Sequence, residues 1–194
     1  MSKKEKEIRT VCPGSRADWR LWLEKNHSSE QSVWLIYHKK QSNVSTVSYS
    51  DAVDEALCFG WIDSTKKAID DRTFMQFFCK RKPNSVWSKI NKGKVQSLIE
   101  ERLMTVAGYN SIETAKQNGS WLILDDVEEL KIPTDLEEAF KTQPGSFDFF
   151  LGLSKSVRKS ILQWLVLAKR QETRQKRIAE IATLAAERRK PKQF

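Results

Sequence analysis

The chain is poor in the residues that bind metals and form disulfides. Its 194 residues include only two histidines and three cysteines, and no two cysteines form a CxxC pair. Structural zinc sites take their ligands from closely spaced cysteines and histidines, so the sequence predicts no metal site, and nothing in it indicates a cofactor. An odd number of widely spaced cysteines is typical of reduced thiols, which indicates a cytoplasmic protein.

Long apolar runs are also missing. The longest apolar-rich segment is Ile161–Ala168, far shorter than the ~20 residues of a membrane-spanning helix. The first ten residues, MSKKEKEIRT, lack the apolar core of a secretory signal peptide. With only seven glycines and five prolines, the chain has few turn-forming residues and is expected to be globular and rich in helices.

Charge of one sign is scarce in two parts of the chain. Residues 123–150 have two basic and eight acidic residues, a net charge of −6, whereas residues 151–194 have 12 basic and three acidic residues, a net charge of +9. A basic C-terminal end is typical of proteins that meet an anionic partner. The alternative is that these charges form solvated helix surface, which is the commoner role of charged runs.

Periodic patterns predict an α+β fold. Branched and aromatic residues predict strands over residues 33–40, 61–69 and 73–81, and the last two are joined by the turn-forming residues 70–72. Apolar residues at helical spacing predict helices around and after these strands. Helices that flank a small antiparallel sheet bury its apolar face, which makes this the expected architecture of the first part.

The patterns divide the chain into two predicted domains. Residues 1–122 are expected to form the small antiparallel sheet with flanking helices. Residues 123–194 are expected to form an acidic connector and a basic, all-helical subdomain. In that second part, Thr134 and Glu137 have the spacing of a capping box and predict the start of a helix.

Several segments of the chain form a recognisable set of motifs. The most specific is Ala56-Leu57-Cys58-Phe59-Gly60-Trp61-Ile62-Asp63, and the others are Trp19..Trp22-Leu23, Val33-Trp34-Leu35, Arg81-Lys82..Ser85.Trp87 and Trp164...Ala168-Lys169..Glu172-Thr173-Arg174..Arg177-Ile178. Together they resemble the YdeI/OmpD-associated family, also called bacteriocin-protection proteins, over nearly the whole chain. Cys79-Lys80 and Arg102 depart from the family's pattern. The resemblance implies a stress-associated role in protection against bacteriocins or cationic peptides, and it implies no particular reaction.

Cys58 is the first candidate for chemistry, and we interpret it as a packing residue. It ends a predicted helix, where the helix dipole disfavours a thiolate. Helical geometry turns it toward Asp51 and Asp54, whose charges also raise a thiol pKa. The same helical pattern places Glu55 away from the apolar face. Gly60 is expected to end the helix.

The segment from Arg81 to Asn91 has the features of an anion-binding site. Arg81 and Lys82 end a predicted strand, and Asn84 or Ser85 is expected to cap a helix that begins immediately afterwards. The free backbone N–H groups of that helix start and the Arg81 guanidinium would together bind an anion. Asp63 is expected to pair across the sheet with Lys39, Lys40 or Arg81, and a role as a general base is the alternative. The predicted ligand-binding residues are Lys39, Asp63, Arg81, Lys82, Ser85, Trp87 and Asn91. A capped helix with surface cations is the alternative interpretation.

The basic C-terminal end is the second candidate site. Lys169, Arg170, Arg174 and Arg177 precede or enter a predicted helix, and three of them share a side from which phosphates can be contacted. No nucleic-acid-binding motif accompanies them, and the seven tryptophans are expected to pack in the core.

Three functional classes therefore remain open. The first is a protein that binds a small anionic ligand or a protein partner near Asp63 and Arg81. The second is non-specific nucleic-acid binding through the C-terminal helices. The third is an enzyme that uses Asp63, Arg81 and Asn91, with or without Cys58.

Overall fold

The computed structural model describes residues 8–194 (for Lys40, the backbone only), so most of the segment on which the signal-peptide argument depends lies outside the described residues. Within the described part, a four-stranded sheet and nine α-helices confirm the predicted α+β fold. The chain forms two compact units. The first contains the chain up to Ser85 together with Ile90–Ser120, and the second contains Val86–Lys89 and Trp121–Phe194.

The sheet belongs to the first unit. Its strands are β1 (Thr10–Val11), β2 (Ser32–His38), β3 (Trp61–Ala68) and β4 (Thr73–Lys80), in the order β1-β2-β4-β3. β4 is antiparallel to both of its neighbours, as predicted, whereas β1 is parallel to β2. The sheet is therefore mixed rather than wholly antiparallel. A strand of two residues is too short to show an alternating pattern, which explains why the sequence did not predict β1.

Four helices complete the first unit. They are α1 (Arg16–Asn26), α2 (Tyr49–Cys58), α3 (Lys89–Glu100) and α4 (Val106–Gln117). Every second residue of β2 is buried, so one face of this strand forms core. The helices α1 and α2 pack on each other, with the Trp19 indole N–H donating to the Ala52 carbonyl at 3.0 Å. Ser15 and Ser48 cap these two helices through their hydroxyl oxygens.

Glu55 on α2 does not face away from the core, as its position in the helical pattern predicts. Its side chain is only 2% exposed, and its two carboxylate oxygens lie 2.6 Å from Arg16 Nε and 2.7 Å from Arg20 Nη1. A buried carboxylate is tolerated because charged hydrogen-bond donors replace the lost water. Both partners come from α1, far away in sequence, so the helical periodicity of α2 alone does not reveal them.

The second unit is all-helical. Its helices are α5 (Asp125–Glu128), α6 (Thr134–Lys141), α7 (Ser146–Gly152), α8 (Lys155–Val166) and α9 (Gln171–Ala186). Apolar side chains from all five helices form one core, which includes Val127, Leu136, Phe150, Leu162 and Ile181. The capping box predicted at Thr134 is wrong: Pro133 is the N-cap residue of α6, and Thr134 is its first helical residue.

None of the helices in residues 8–194 combines the length and apolar character needed to cross a membrane.

Candidate anion-binding site

Two adjoining cavities open at one end of the sheet in the first unit. Their volumes are about 440 Å³ and 160 Å³, and both are lined by Arg81, Asn110 and Ser111. We call them the larger and the smaller compartment of the Arg81 cleft. The larger compartment is also lined by His27, Ser28, Phe59, Gly60, Trp61, Lys80 and Ala107, and the smaller by Lys82, Pro83 and Thr114.

Gly60 brings the sheet end close to α4. It follows α2 with a φ of +69°, a backbone conformation that residues other than glycine rarely adopt. A Cβ added here would lie 2.9 Å from the Ala107 carbonyl oxygen. Its own carbonyl accepts the backbone N–H of Arg81 at 2.9 Å. This bond fixes the backbone of Arg81 as the chain leaves β4. The predicted role of Gly60 as the end of the helix is thus combined with a role in shaping the cleft.

A second close contact fixes α4, which forms the opposite wall of the cleft. The Thr105 hydroxyl donates to the Cys58 carbonyl at 2.6 Å and accepts from the N–H of Gly108 as the N-cap of α4. A Cβ added to Gly108 would lie 2.4 Å from the Cys58 oxygen, so the two helices approach at backbone distance. Asn110, Ser111 and Thr114 follow on the next turns of α4.

The loop between α1 and β2 supplies His27 and Ser28. The His27 Nδ1 lies 2.9 Å from the Leu23 carbonyl oxygen, and because a carbonyl only accepts, we assign the proton to Nδ1. Its ring lies 5.1 Å from the ring of Phe59. Lys80 donates from Nζ to the Ser28 carbonyl at 2.7 Å, which ties this loop to the end of β4.

The described residues that line the cleft carry positive charge and no carboxylate. Its cations are Lys80, Arg81 and Lys82. Burial lowers the pKa of Arg81 to about 10, while the charge of Asp63 acts in the opposite direction. Burial disfavours the charged form of a guanidinium, and a nearby anion favours it. The cleft is therefore electrostatically suited to an anion.

Asp63 lies on β3 with partners of its own. Its Oδ2 accepts from the Tyr49 hydroxyl at 2.7 Å and from Gln76 Nε2 at 3.1 Å. Burial and this hydrogen bond raise the pKa of Tyr49 to about 12. Lys39 lies elsewhere, with its Nζ donating to the carbonyls of Asp70 and Asp71 at the β3–β4 turn. Of the partners predicted for Asp63, Lys39 is therefore wrong, whereas the charge of Asp63 does act on Arg81.

The structure separates the remaining predicted residues. Arg81 and Lys82 line the cleft. The helix expected to begin at Asn84 or Ser85 begins at Lys89. The prediction that a helix N-terminus directly follows Arg81 and Lys82 is therefore wrong. Ser85 instead closes a turn, its N–H donating to the Lys82 carbonyl at 2.9 Å.

Trp87 and Asn91 have other surroundings. Trp87 is buried, belongs to the second unit, and has its ring 4.9 Å from that of Trp121. Asn91 lies in the first turn of α3. Neither residue is among the described residues that line the cleft.

Cys58 has the surroundings of a packing residue. Its side chain is 0% exposed, and burial, reinforced by the charge of Glu55, raises its pKa to about 11. The acidic neighbour is thus Glu55 rather than Asp51 or Asp54. A thiol that stays protonated at neutral pH is a poor nucleophile.

The basic C-terminal residues are divided between internal contacts and the surface. Arg174 binds the Asp135 carboxylate with two hydrogen bonds of 2.6 and 2.8 Å. Arg177 donates to the Trp164 carbonyl and lies 4.7 Å from the centre of its ring. Lys169 and Arg170 are exposed just before α9. Of the three arginines whose shared side was considered for phosphate contacts, Arg174 and Arg177 therefore make contacts within the helical unit instead.

Six polar residues of the cleft were missed from the sequence. They are His27, Ser28, Lys80, Asn110, Ser111 and Thr114. The spacing of Asn110, Ser111 and Thr114 places them on one side of α4, so the sequence alone could have indicated a polar helix face. Only the tertiary fold brings that face to Arg81.

Two family models match the chain. Residues 11–111, just over half of its length, match a model described as a domain of unknown function (DUF8412). Residues 129–188 match the model described as "Bacteriocin-protection, YdeI or OmpD-Associated", which confirms the YdeI/OmpD-associated resemblance in this part of the chain. The segment from Ala56 to Asp63 lies instead in the region that matches the DUF8412 model. No curated protein matches the chain, and no solved structure does.

Proposed function

The chain belongs to the DUF8412 family, and we propose that it binds a small anionic ligand in the Arg81 cleft. The observation that carries this proposal is the composition of the cleft wall. Three cations and several neutral hydrogen-bond donors converge there, and no carboxylate is among the described residues that line it. Anions bind where charge-assisted hydrogen bonds are available and where no fixed anion competes for them.

Arg81 supports the proposal most directly. It lines both compartments, and its guanidinium is withdrawn from solvent far enough to lower its pKa. A ligand anion would add to the attraction that the charge of Asp63 already exerts on this guanidinium. A guanidinium also presents its N–H groups as a planar fork, so it holds carboxylate or phosphate oxygens in a defined orientation.

The YdeI/OmpD-associated region at residues 129–188 supports a place for this binding activity in bacteriocin protection. We propose a cytoplasmic, stress-associated protein in which the first unit recognises the anion. A protein partner that presents an anionic side chain to the cleft is the alternative ligand. An enzyme based on Asp63 has less support, since the Asp63 carboxylate binds Tyr49 and Gln76 and does not line the cleft.

A thermal-shift series tests the proposal. The melting temperature would be measured with inorganic phosphate, citrate and chloride at one ionic strength, for the unaltered chain and for Arg81→Ala. A ligand at about 100 times its Kd stabilises the folded state by about 2.7 kcal/mol, so phosphate or citrate should raise the melting temperature of the unaltered chain well above its value in chloride.

Arg170→Ala is the matched control. It removes a second arginine, exposed and located outside the first unit. We expect Arg81→Ala to abolish the anion-specific shift and Arg170→Ala to retain it. Equal shifts in Arg81→Ala and in the unaltered chain would refute binding in the cleft.

A further inference from the structure

We infer that the ligand of the Arg81 cleft is a phosphate monoester, with the phosphate in the smaller compartment and the remainder of the molecule in the larger one. This inference rests on the proposed anion-binding function and specifies the chemistry of its ligand. It is based on the volumes of the two compartments, on the side chains that line each, and on the position of Arg81 between them.

The two volumes are suited to different parts of one molecule. Cavities that hold small molecules usually measure about 300–1,000 Å³. The larger compartment, at about 440 Å³, falls in that range, whereas the smaller, at about 160 Å³, has room for a compact group only. Because the compartments share Arg81, Asn110 and Ser111, a single ligand can extend from one to the other.

The lining of the smaller compartment favours a phosphate over a carboxylate. Two cations, Arg81 and Lys82, and the polar side chains of Asn110, Ser111 and Thr114 surround this small volume. A phosphate monoester brings three strong acceptor oxygens and a charge near −2, while a carboxylate brings two oxygens and a charge of −1. The number of donors and the two positive charges therefore match the phosphate.

The hydroxyl groups on α4 are compatible with this role. Ser111 donates to the Gly108 carbonyl and Thr114 to the Asn110 carbonyl, each at 2.8 Å. Both carbonyls lie within the helix, and a hydroxyl proton rotates at little cost. Either hydroxyl can thus turn from its own helix to a phosphate oxygen without movement of the backbone.

The lining of the larger compartment is mixed. Phe59 and Trp61 line it with only 4% and 1% of their surface exposed, while His27, Ser28, Lys80 and Asn110 contribute polar groups. A volume in the range of small-molecule sites, with polar groups on its wall, has room for an organic body as well as an ion. A phosphorylated organic molecule therefore fills the two compartments together, whereas inorganic phosphate fills only the smaller one.

Isothermal titration calorimetry with three probes tests the inference. The probes are phenyl phosphate, inorganic phosphate and benzoate. We expect phenyl phosphate to bind about tenfold more tightly than inorganic phosphate, because its ring buries apolar surface. We expect benzoate to bind about tenfold more weakly than phenyl phosphate, because it has fewer acceptors and less charge.

Two variants assign the compartments. Thr114→Val removes a hydroxyl from the smaller compartment and should weaken phenyl phosphate and inorganic phosphate by the same factor. Ala107→Leu places a larger side chain in the larger compartment, which leaves less room for the ring, and should weaken the binding of phenyl phosphate alone. Circular dichroism would verify folding, and Ser28→Phe in the adjoining loop would replace Ala107→Leu if that variant is unfolded.

The results separate this inference from the proposed function. Absence of binding for all three probes and for citrate would overturn both. Benzoate binding as tightly as phenyl phosphate, or inorganic phosphate binding as tightly as phenyl phosphate, would overturn the phosphate-monoester inference and leave anion binding in place. Equal loss of both phosphates in Ala107→Leu would overturn the assignment of compartments.

Discussion

Basic side chains have opposite surroundings in the helical unit and in the Arg81 cleft of the first unit. In the helical unit, the Arg174 guanidinium binds the Asp135 carboxylate in a bidentate pair, and Arg177 binds the Trp164 carbonyl and ring. In the Arg81 cleft, three successive cations, Lys80, Arg81 and Lys82, line a cavity that has no carboxylate among its described lining residues.

The difference shows why the number of charges in a segment is a poor guide to function. Residues 151–194 have the higher local charge, yet part of that charge neutralises acidic residues of residues 123–150 within the same unit, as in the Lys159–Glu128 pair at 2.6 Å. Cations that already bind carboxylates within the fold contribute little to the attraction of a ligand. Cations that line a cavity whose described lining residues include no carboxylate contribute positive charge to that cavity.

The largest expected effect comes from Gly108→Ala, which would disrupt the cleft side of this comparison. The new Cβ would lie 2.3 Å from Met104 Sδ and 2.4 Å from the Cys58 carbonyl oxygen. Since a backbone group cannot move aside cheaply, we expect α4 to shift, with a loss of about 3 kcal/mol in the free energy of unfolding. Urea denaturation would measure it, and anion binding in the cleft should be lost as well.

Gly93→Ala is the matched control for this substitution. Gly93 lies on α3, and a Cβ added there meets no atom within 4 Å. Alanine in an exposed helix interior is expected to stabilise the chain by about 0.5–1 kcal/mol. Unfolding free energies that change equally in the two variants would contradict the close approach of α4 to Cys58.

A smaller loss is expected from Glu55→Gln, which alters the paired cations of the first unit. The substitution keeps the shape of the side chain but removes the charge that Arg16 and Arg20 share. Removal of one partner from a buried ion pair costs about 3–5 kcal/mol. Both arginines reach solvent here, with side chains 38% and 27% exposed, so we expect about 2 kcal/mol in urea denaturation.

Asp51→Asn provides the comparison for Glu55→Gln. Asp51 also lies near Arg16, at 3.6 Å, but its side chain is 39% exposed. Exposed pairs contribute about 0–1 kcal/mol, so this variant should be close to the unaltered chain. If Asp51→Asn lowered the free energy of unfolding as much as Glu55→Gln does, the burial of the carboxylate would not determine how much these ion pairs stabilise the fold.

Asp135→Asn tests the paired side of the comparison, in the helical unit. The guanidinium of Arg174 lowers the pKa of Asp135 below its ordinary value. A carboxyl group with a depressed pKa in the folded state stabilises that state fully above its unfolded-state pKa of ~3.9 and loses this contribution as the pH falls through the lower folded-state value.

We therefore expect Asp135→Asn to cost about 0.5–1 kcal/mol at pH 7, because the Asp135 side chain is 41% exposed and partly screened. The difference should disappear in denaturation experiments below the pKa of the folded state. Glu138→Gln, at an exposed position of the same helix, should show no comparable loss at neutral pH. A difference that persists in acid would contradict the ion pair as its cause.

The elements with strong local patterns were predicted well. The strands expected at residues 61–69 and 73–81 are Trp61–Ala68 and Thr73–Lys80. The predicted start of α3 was wrong, because Asn84 and Ser85 have the chemistry of caps but enter a turn, and Trp87 is buried in the second unit. Local capping preferences are weak compared with the burial of a tryptophan.

The candidate site was predicted only in part, for a related reason. Arg81 and Lys82 were found because adjacent cations follow a strand in the sequence. The wall formed by Asn110, Ser111 and Thr114 depends on Gly108, which lets α4 approach the Cys58 carbonyl. Such a contact between distant segments has no periodic signature, so a single sequence does not reveal it.

The smallest effects are expected from the exposed cations that precede α9. The double variant Lys169→Gln and Arg170→Gln alters two exposed residues, so the free energy of unfolding should change by less than about 0.5 kcal/mol. Anion binding in the cleft should be unchanged, since both residues lie outside the first unit. Fluorescence anisotropy with a short single-stranded oligonucleotide, measured over a range of salt concentrations, checks the nucleic-acid alternative.

Each phosphate contact to a single strand contributes about −0.7 to the slope of log K against log salt. Loss of two cations should therefore reduce the slope by no more than about 1.4. A slope that falls by about this amount in the double variant would favour nucleic-acid binding at the C-terminal end over anion binding in the Arg81 cleft. Weak binding with a small slope in both proteins would agree with Arg174 and Arg177 serving the helical unit itself.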